Sequence, residues 1–154
     1  MQTTVGNRRR EYTGSSEAPH LHIELRDFKG NPINPLPFYQ HLLKDSKAPS
    51  LISVAVLPLD SLSLVNEKPE IQFFIPKKEG ENYVLKTPIY LSGKTGIAYQ
   101  AFDQMDETTN KFGIYKAILW LDDSLYFQYI LPSVSFDAQK YVNLHTIYAE
   151  KKCL

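Results

Sequence analysis

Three observations predict an all-β fold for this chain. Short runs rich in β-branched and aromatic residues recur between residues 51 and 131, turn signals divide them, and two stretches read with period two. Of the 154 residues, 43% are apolar and 12% aromatic, a globular composition with enough apolar material for one core. Lys plus Arg and Asp plus Glu both number 17. The net charge is therefore zero, and nothing points to nucleic acid as a partner.

The first strand is read at residues 18–27. His20, His22, Glu24 and Arg26 fall on one face and Leu21, Ile23 and Leu25 on the other, the pattern of a half-buried strand. Ahead of it, Arg8, Arg9 and Arg10 beside Gly6-Asn7 are too few for a nucleic-acid patch and read as a solvated terminus. Gly30-Asn31-Pro32 breaks the chain within 28–34, so residues 21–27 are expected to pair back as a hairpin. Residues 35–43, opened by Pro35 and Pro37, predict a short helix. The polar, proline-containing stretch 45–49 is the expected boundary between a first domain, 1–45, and a second, 50–154.

Six strands are predicted beyond that boundary, at 51–57, 70–76, 82–91, 95–103, 113–121 and 125–131. Lys78-Glu79-Gly80-Glu81, Ser92-Gly93-Lys94, Asn110-Lys111 and Asp122-Asp123 divide them. Strands at this spacing suggest an antiparallel, immunoglobulin-like β-sandwich. Near the fifth, Ile114, Lys116, Ile118 and Trp120 share a face opposite Tyr115, Ala117, Leu119 and Leu121.

The residues that carry chemistry lie in the first strand. His20 and His22 stand roughly 6.5 Å apart along it, so one can hold a metal while the other reaches over the same cleft. The spacing suits zinc without requiring it. A hydrolytic zinc site takes three protein ligands and leaves one position open for water, and no residue before His20 is His or Asp.

Thr13-Gly14, the run from Pro19 to Arg26, and Asn34-Pro35-Leu36 together resemble the end of the catalytic domain of lysostaphin/LytM-type zinc metallopeptidases, which cut peptide cross-links of peptidoglycan. In that family a Thr-Gly-x-Ser turn precedes Pro-His-Leu-His-Phe-Glu-(Ile/Val)-Arg, and Asn-Pro follows a short hairpin. Ile23 stands here for the usual Phe, and Leu25 for Ile or Val. The resemblance implies that His22 is the last zinc ligand and that His20 polarises the attacking water or stabilises the oxyanion. It also implies Zn2+ as cofactor, a peptidoglycan peptide as partner, and a fragment of a β barrel-sandwich fold at 1–45. The family draws its other two ligands from an upstream His-x-x-x-Asp motif and has a further catalytic His upstream. Its Val-Gly-Asn stretch runs almost directly into Thr-Gly-x-Ser, whereas Arg8 to Tyr12 intervene between Val5-Gly6-Asn7 and Thr13. The expectation is a peptidase remnant that is inactive by itself.

Residues 135–145, from Ser135-Phe136-Asp137 to Tyr141-Val142-Asn143-Leu144-His145, are similar to the end of a sandwich that follows the catalytic domain in some long relatives. The relatives read Phe-Asp-Glu-Thr-Arg-Tyr-Ile-Asn-x-His, so Ala138, Gln139 and Lys140 depart. Such a sandwich is expected to be short of strands and to have an exposed edge through which copies could self-associate.

Other candidates receive bland readings. His41 and Asp45 spell His-x-x-x-Asp but follow the His-x-His strand, and read as a solvated helix face. Tyr115, Tyr126, Tyr129, Tyr141 and Tyr148 could stack on a glycan or peptide, yet at strand spacing they read as core and cross-strand packing. His145 has no carboxylate or second His at ligand spacing and reads as structural. Cys153 is alone, which excludes an internal disulfide. Asp122-Asp123 and Asp103 to Glu107 lack the oxygen spacing of a calcium loop and read as hairpin tips. Gly-x-Ser-x-Gly, a phosphate-binding loop and paired zinc-finger cysteines are all missing.

Residues 1–16 contain no apolar core of signal-peptide length, and no stretch reaches the roughly 18 apolar residues of a transmembrane segment. As written the chain is expected in the cytoplasm, whereas the family acts in the cell envelope or periplasm. Two functional classes remain: a zinc metalloendopeptidase remnant, and a non-catalytic β-sandwich interaction module of the envelope.

Overall fold

A computed structural model describes residues 2–5, 23–145 and 147, and they form an all-β structure of small antiparallel sheets. The chain groups into two compact units divided after Leu42 and again after Ile114. In the first, β1 (Gln2–Val5), β2 (Ile23–Arg26) and β3 (Pro32–Ile33) make one sheet with β2 in the middle. A short helix α1 (Leu36–Tyr39) follows.

The second unit spans 43–114 and holds β4 (Ser50–Pro58), β5 (Leu64–Val65), β6 (Gln72–Phe74), β7 (Lys77–Glu79), β8 (Asn82–Val84), β9 (Leu91–Ser92) and β10 (Thr95–Phe102). The hairpin of β11 (Lys116–Leu121) and β12 (Ser124–Ile130), and a 3₁₀ helix at Phe136–His145, belong to the first unit.

β2 turns back on itself as its breaker residues require. The Asp27 N–H donates to the Asn31 carbonyl and the Gly30 N–H to the Asp27 carbonyl, each at 3.0 Å. Leu25 then pairs with Ile33 and Arg26 with Pro32. On its other edge β2 pairs with β1, Thr3 opposite Leu25. Enclosed between two strands, Leu25 is one of four buried apolar side chains among the described residues.

Helix α1 is shorter than the predicted 35–43. Pro35 caps it without a side-chain hydrogen bond, and none of its residues is buried. With neither a cap nor packing to offset the cost of nucleation, one turn is all that forms. Residues 40–45 lie beyond it, so His41 and Asp45 are solvated as expected but in a turn and loop instead of on a helix.

In the second unit β4 lies between β6 and β10. Small and β-branched residues let the three strands close up: Ala55 and Val56 are buried, and Ser53 donates to Gln100 Oε1 across the β4–β10 pair at 3.4 Å. The register shifts between Gln100 and Ala101 and leaves Ile52 as the extra, exposed residue of a β-bulge. The predicted strand at 82–91 is broken into β8 and β9, with Pro88, which has no N–H to give to a ladder, in the gap. That at 70–76 shortens to β6, and 113–121 to β11.

The turns follow their residues. Asn66 and Glu67 both have positive φ, 48° and 66°, and close a two-residue turn in which Val65 and Lys68 exchange both backbone hydrogen bonds. Asp122 and Asp123, at φ 46° and 61°, make the same kind of turn between β11 and β12. This is the hairpin tip predicted for that acidic pair, in the type that needs two left-handed residues.

Around β5 the fold is held by side-chain oxygens. The Ser63 hydroxyl is fully buried, donates to Asp60 Oδ1 at 2.6 Å and accepts the Lys94 N–H at 2.8 Å. Gly93 presses against it at φ +78°: a Cβ there would lie 2.5 Å from Ser63 Oγ and 3.0 Å from its Cα. Gly93→Ala is therefore expected to cost about 1–3 kcal/mol, from the left-handed backbone and the displaced hydroxyl. Urea denaturation against wild type measures this, and an unchanged midpoint would show that the turn relaxes freely.

Candidate functional site

The structure describes the strand that carries the His-x-His motif from Ile23 onward; His20 and His22 lie outside the described residues. In the part described, the period-two reading is realised. Leu25 points inward, and Glu24 and Arg26 emerge on the other side, half-buried and exposed.

Glu24 and Arg26 form an ion pair along the strand, the Arg26 Nε donating to Glu24 Oε1. The Arg26 guanidinium also sits 4.9 Å from the ring centroid of Phe136, a cation–π contact. This ties the motif's last residue to the start of the 3₁₀ helix. Nothing in the local sequence pairs these two residues, which lie 110 positions apart, so sequence reading missed the contact.

Beyond Arg26, Asp27 anchors the turn. Its Oδ1 accepts the Lys29 N–H at 2.8 Å and the Asn31 N–H at 2.9 Å, and its Oδ2 accepts Asn31 Nδ2 at 3.1 Å. Hydrogen bonds from the backbone and then the side chain of Asn31 favour the ionised form and hold the Asp27 carboxyl below its ordinary value of 3.8. Downstream, the Asn34 N–H donates to the Pro132 carbonyl and Ser133 Oγ donates to the Pro32 carbonyl, joining β3 to the segment that follows β12.

A zinc centre does not fit the described residues. Among them no three His, Cys, Asp or Glu side chains come together in a group that could hold a metal. Such a centre would draw its donors from outside the described residues. The acidic stretch at 103–107 is tied down by protein groups: Asp103 and Phe112 exchange backbone hydrogen bonds, and the Asp106 carboxylate accepts the hydroxyl of the distant Ser46 at 3.0 Å.

The aromatic residues lie differently from the core reading. Tyr115, Tyr126 and Tyr141 are exposed, while Tyr129 is half-buried and meets Phe127 edge-on, centroids 6.3 Å apart. Tyr148, Cys153 and the side chain of His145 lie outside the described residues.

No family model, no curated protein and no solved structure matches the chain. Among the described residues no helix is long and apolar enough to cross a membrane.

The Asp27 turn sets a pH dependence. A carboxyl whose folded pKa is depressed contributes stability that is present above its unfolded value and is lost as pH falls through the folded value. Asp27→Asn is thus expected to lower stability by a constant amount above about pH 5 and by progressively less below about pH 4. Urea melts of both proteins across this range measure the difference. A difference independent of pH would show that the ionised carboxylate does not support the turn.

Proposed function

We propose that the chain carries the closing part of a LytM-type zinc metalloendopeptidase domain, a β barrel-sandwich, followed by an immunoglobulin-like β-sandwich, and that it does not hydrolyse peptidoglycan by itself. One observation carries this reading. On β2 the motif sits in the expected register, Leu25 buried and Glu24 and Arg26 facing outward, with the hairpin turn and Asn34-Pro35 directly after. In the sequence His20 and His22 share the period-two phase of Glu24. His22 is the proposed zinc ligand and His20 the proposed catalytic assistant.

A single ligand and a neighbouring His do not complete a three-ligand site, which is why turnover is not expected of these residues alone. In the family's setting the substrate is a peptidoglycan peptide and the place of action the cell envelope or periplasm. The second reading, a non-catalytic β-sandwich module of the envelope, is supported by the antiparallel strand pairing that makes up most of the regular secondary structure among the described residues.

Joining the N-terminal half of a lysostaphin-type catalytic domain, with its His-x-x-x-Asp, ahead of residue 13 separates the two readings. The fusion is expected to retain one zinc per chain after dialysis and to lose it with His22→Ala. A folded fusion that retains no zinc favours the non-catalytic module. Hydrolysis of cross-linked peptidoglycan by the unfused chain would overturn the proposed inactivity.

A further inference from the structure

The β11–β12 hairpin is hydrogen-bonded to no third strand among the described residues. An isolated two-stranded ribbon is marginal in water unless one of its faces is covered. Its two faces differ. Cross-strand pairs Lys116–Ile130, Ile118–Gln128 and Trp120–Leu125 put all six side chains on one side, the extra residue at Tyr126 absorbing the register shift after Leu119. All six are exposed. On the opposite side Ala117, Leu119 and Tyr129 are each partly covered, while Leu121 and Phe127 are exposed.

The open side is apolar at its centre. Ile118, Trp120, Leu125 and Ile130 are 39%, 57%, 50% and 45% exposed, which leaves on the order of 400 Å² of apolar surface at about 150–250 Å² per aromatic and somewhat less per aliphatic residue. A standard interface takes about 800 Å² from each partner and is roughly 57% apolar. The face therefore supplies close to the apolar share that one side of a stable dimer needs.

Its charges lie at opposite ends. Lys116 stands at the root, and Asp122 and Asp123 form the tip about 20 Å away, six residues at roughly 3.3 Å each. None of the three makes an ion pair with a described residue. We propose that this face is covered by the same face of a second copy of the chain, related by a two-fold axis that sets the two hairpins antiparallel. Each acidic tip then lies over the other copy's Lys116, and the apolar centres meet. A two-fold interface must be self-complementary, and this distribution is. The chain's zero net charge sets up no long-range repulsion between copies.

Sedimentation equilibrium of the whole chain tests this, together with the emission of Trp120, the one tryptophan. The expected result is a monomer–dimer equilibrium, with Trp120 emission moving to longer wavelength on dilution. Leu125→Lys is expected to weaken the dimer at least tenfold, roughly the effect of losing one central contact. Asp122→Asn with Asp123→Gly removes the acidic tip but supplies the residues a two-residue hairpin turn prefers. It keeps the hairpin even if Leu125→Lys misfolds, and it is also expected to weaken association, an effect that fades in high salt. A wild-type monomer at every concentration would overturn the proposal and leave the face to a different partner. So would a dimer indifferent to both the Leu125 and the tip substitutions, since it would form through another surface.

Discussion

A β-strand satisfies its backbone fully only when both of its edges are paired, and among the described residues two strands meet that condition. β2 lies between β1 and β3, and β4 between β6 and β10. Three of the four buried apolar side chains belong to these two strands: Leu25 on β2, Ala55 and Val56 on β4. The fourth, Val65, ends β5 beside the Asn66 turn, where side-chain amides and hydroxyls take over what a third strand would supply. Every other strand among the described residues is paired to a neighbouring strand along one edge only. Burial follows two-sided pairing, and exposure of large apolar residues follows its lack.

The same constraint explains what could be read from the sequence. Strands at 50–58, 95–102, 116–121 and 124–130 stand close to where β-branched and aromatic runs place them, because that signal is local. Turns were legible for the same reason: Gly93, and Asp122 with Asp123, supply the left-handed backbone that their turns use. What could not be read is which strand lies beside which. β4 pairs with β10 across some forty intervening residues and with β6 across fewer, and neither register is written in either strand alone. The grouping of 115–147 with the N-terminal hairpin is likewise non-local, made by contacts such as Asn34 with Pro132 and Arg26 with Phe136. Alternation was readable; whether the apolar side of an alternating strand finds a cover was not, as the exposed Trp120 face demonstrates.

For the functional site the division is similar. The inward Leu25 and outward Glu24 and Arg26 were legible, because a one-residue slip would have reversed them and exposed Leu25. The hairpin after Arg26 was legible from Gly30-Asn31-Pro32. That Asp27 would anchor this turn through three accepted hydrogen bonds was not drawn from the sequence, although Asp four residues before Asn beside a glycine is the residue type such turns use. The proposed zinc chemistry rests on the identity of His20 and His22 in the sequence, which lie outside the described residues.

β2 and β4 are the two strands paired along both edges among the described residues, and the structure depends on the protection that this pairing gives them. Residue-resolved amide hydrogen exchange measures it most directly. The slowest exchange should fall on ladder-bonded amides of β2 and β4, with β7 and β8, paired only to each other, opening orders of magnitude faster. Comparable or stronger protection in β7–β8 than in β2 and β4 would contradict the claim that two-sided pairing holds this structure together.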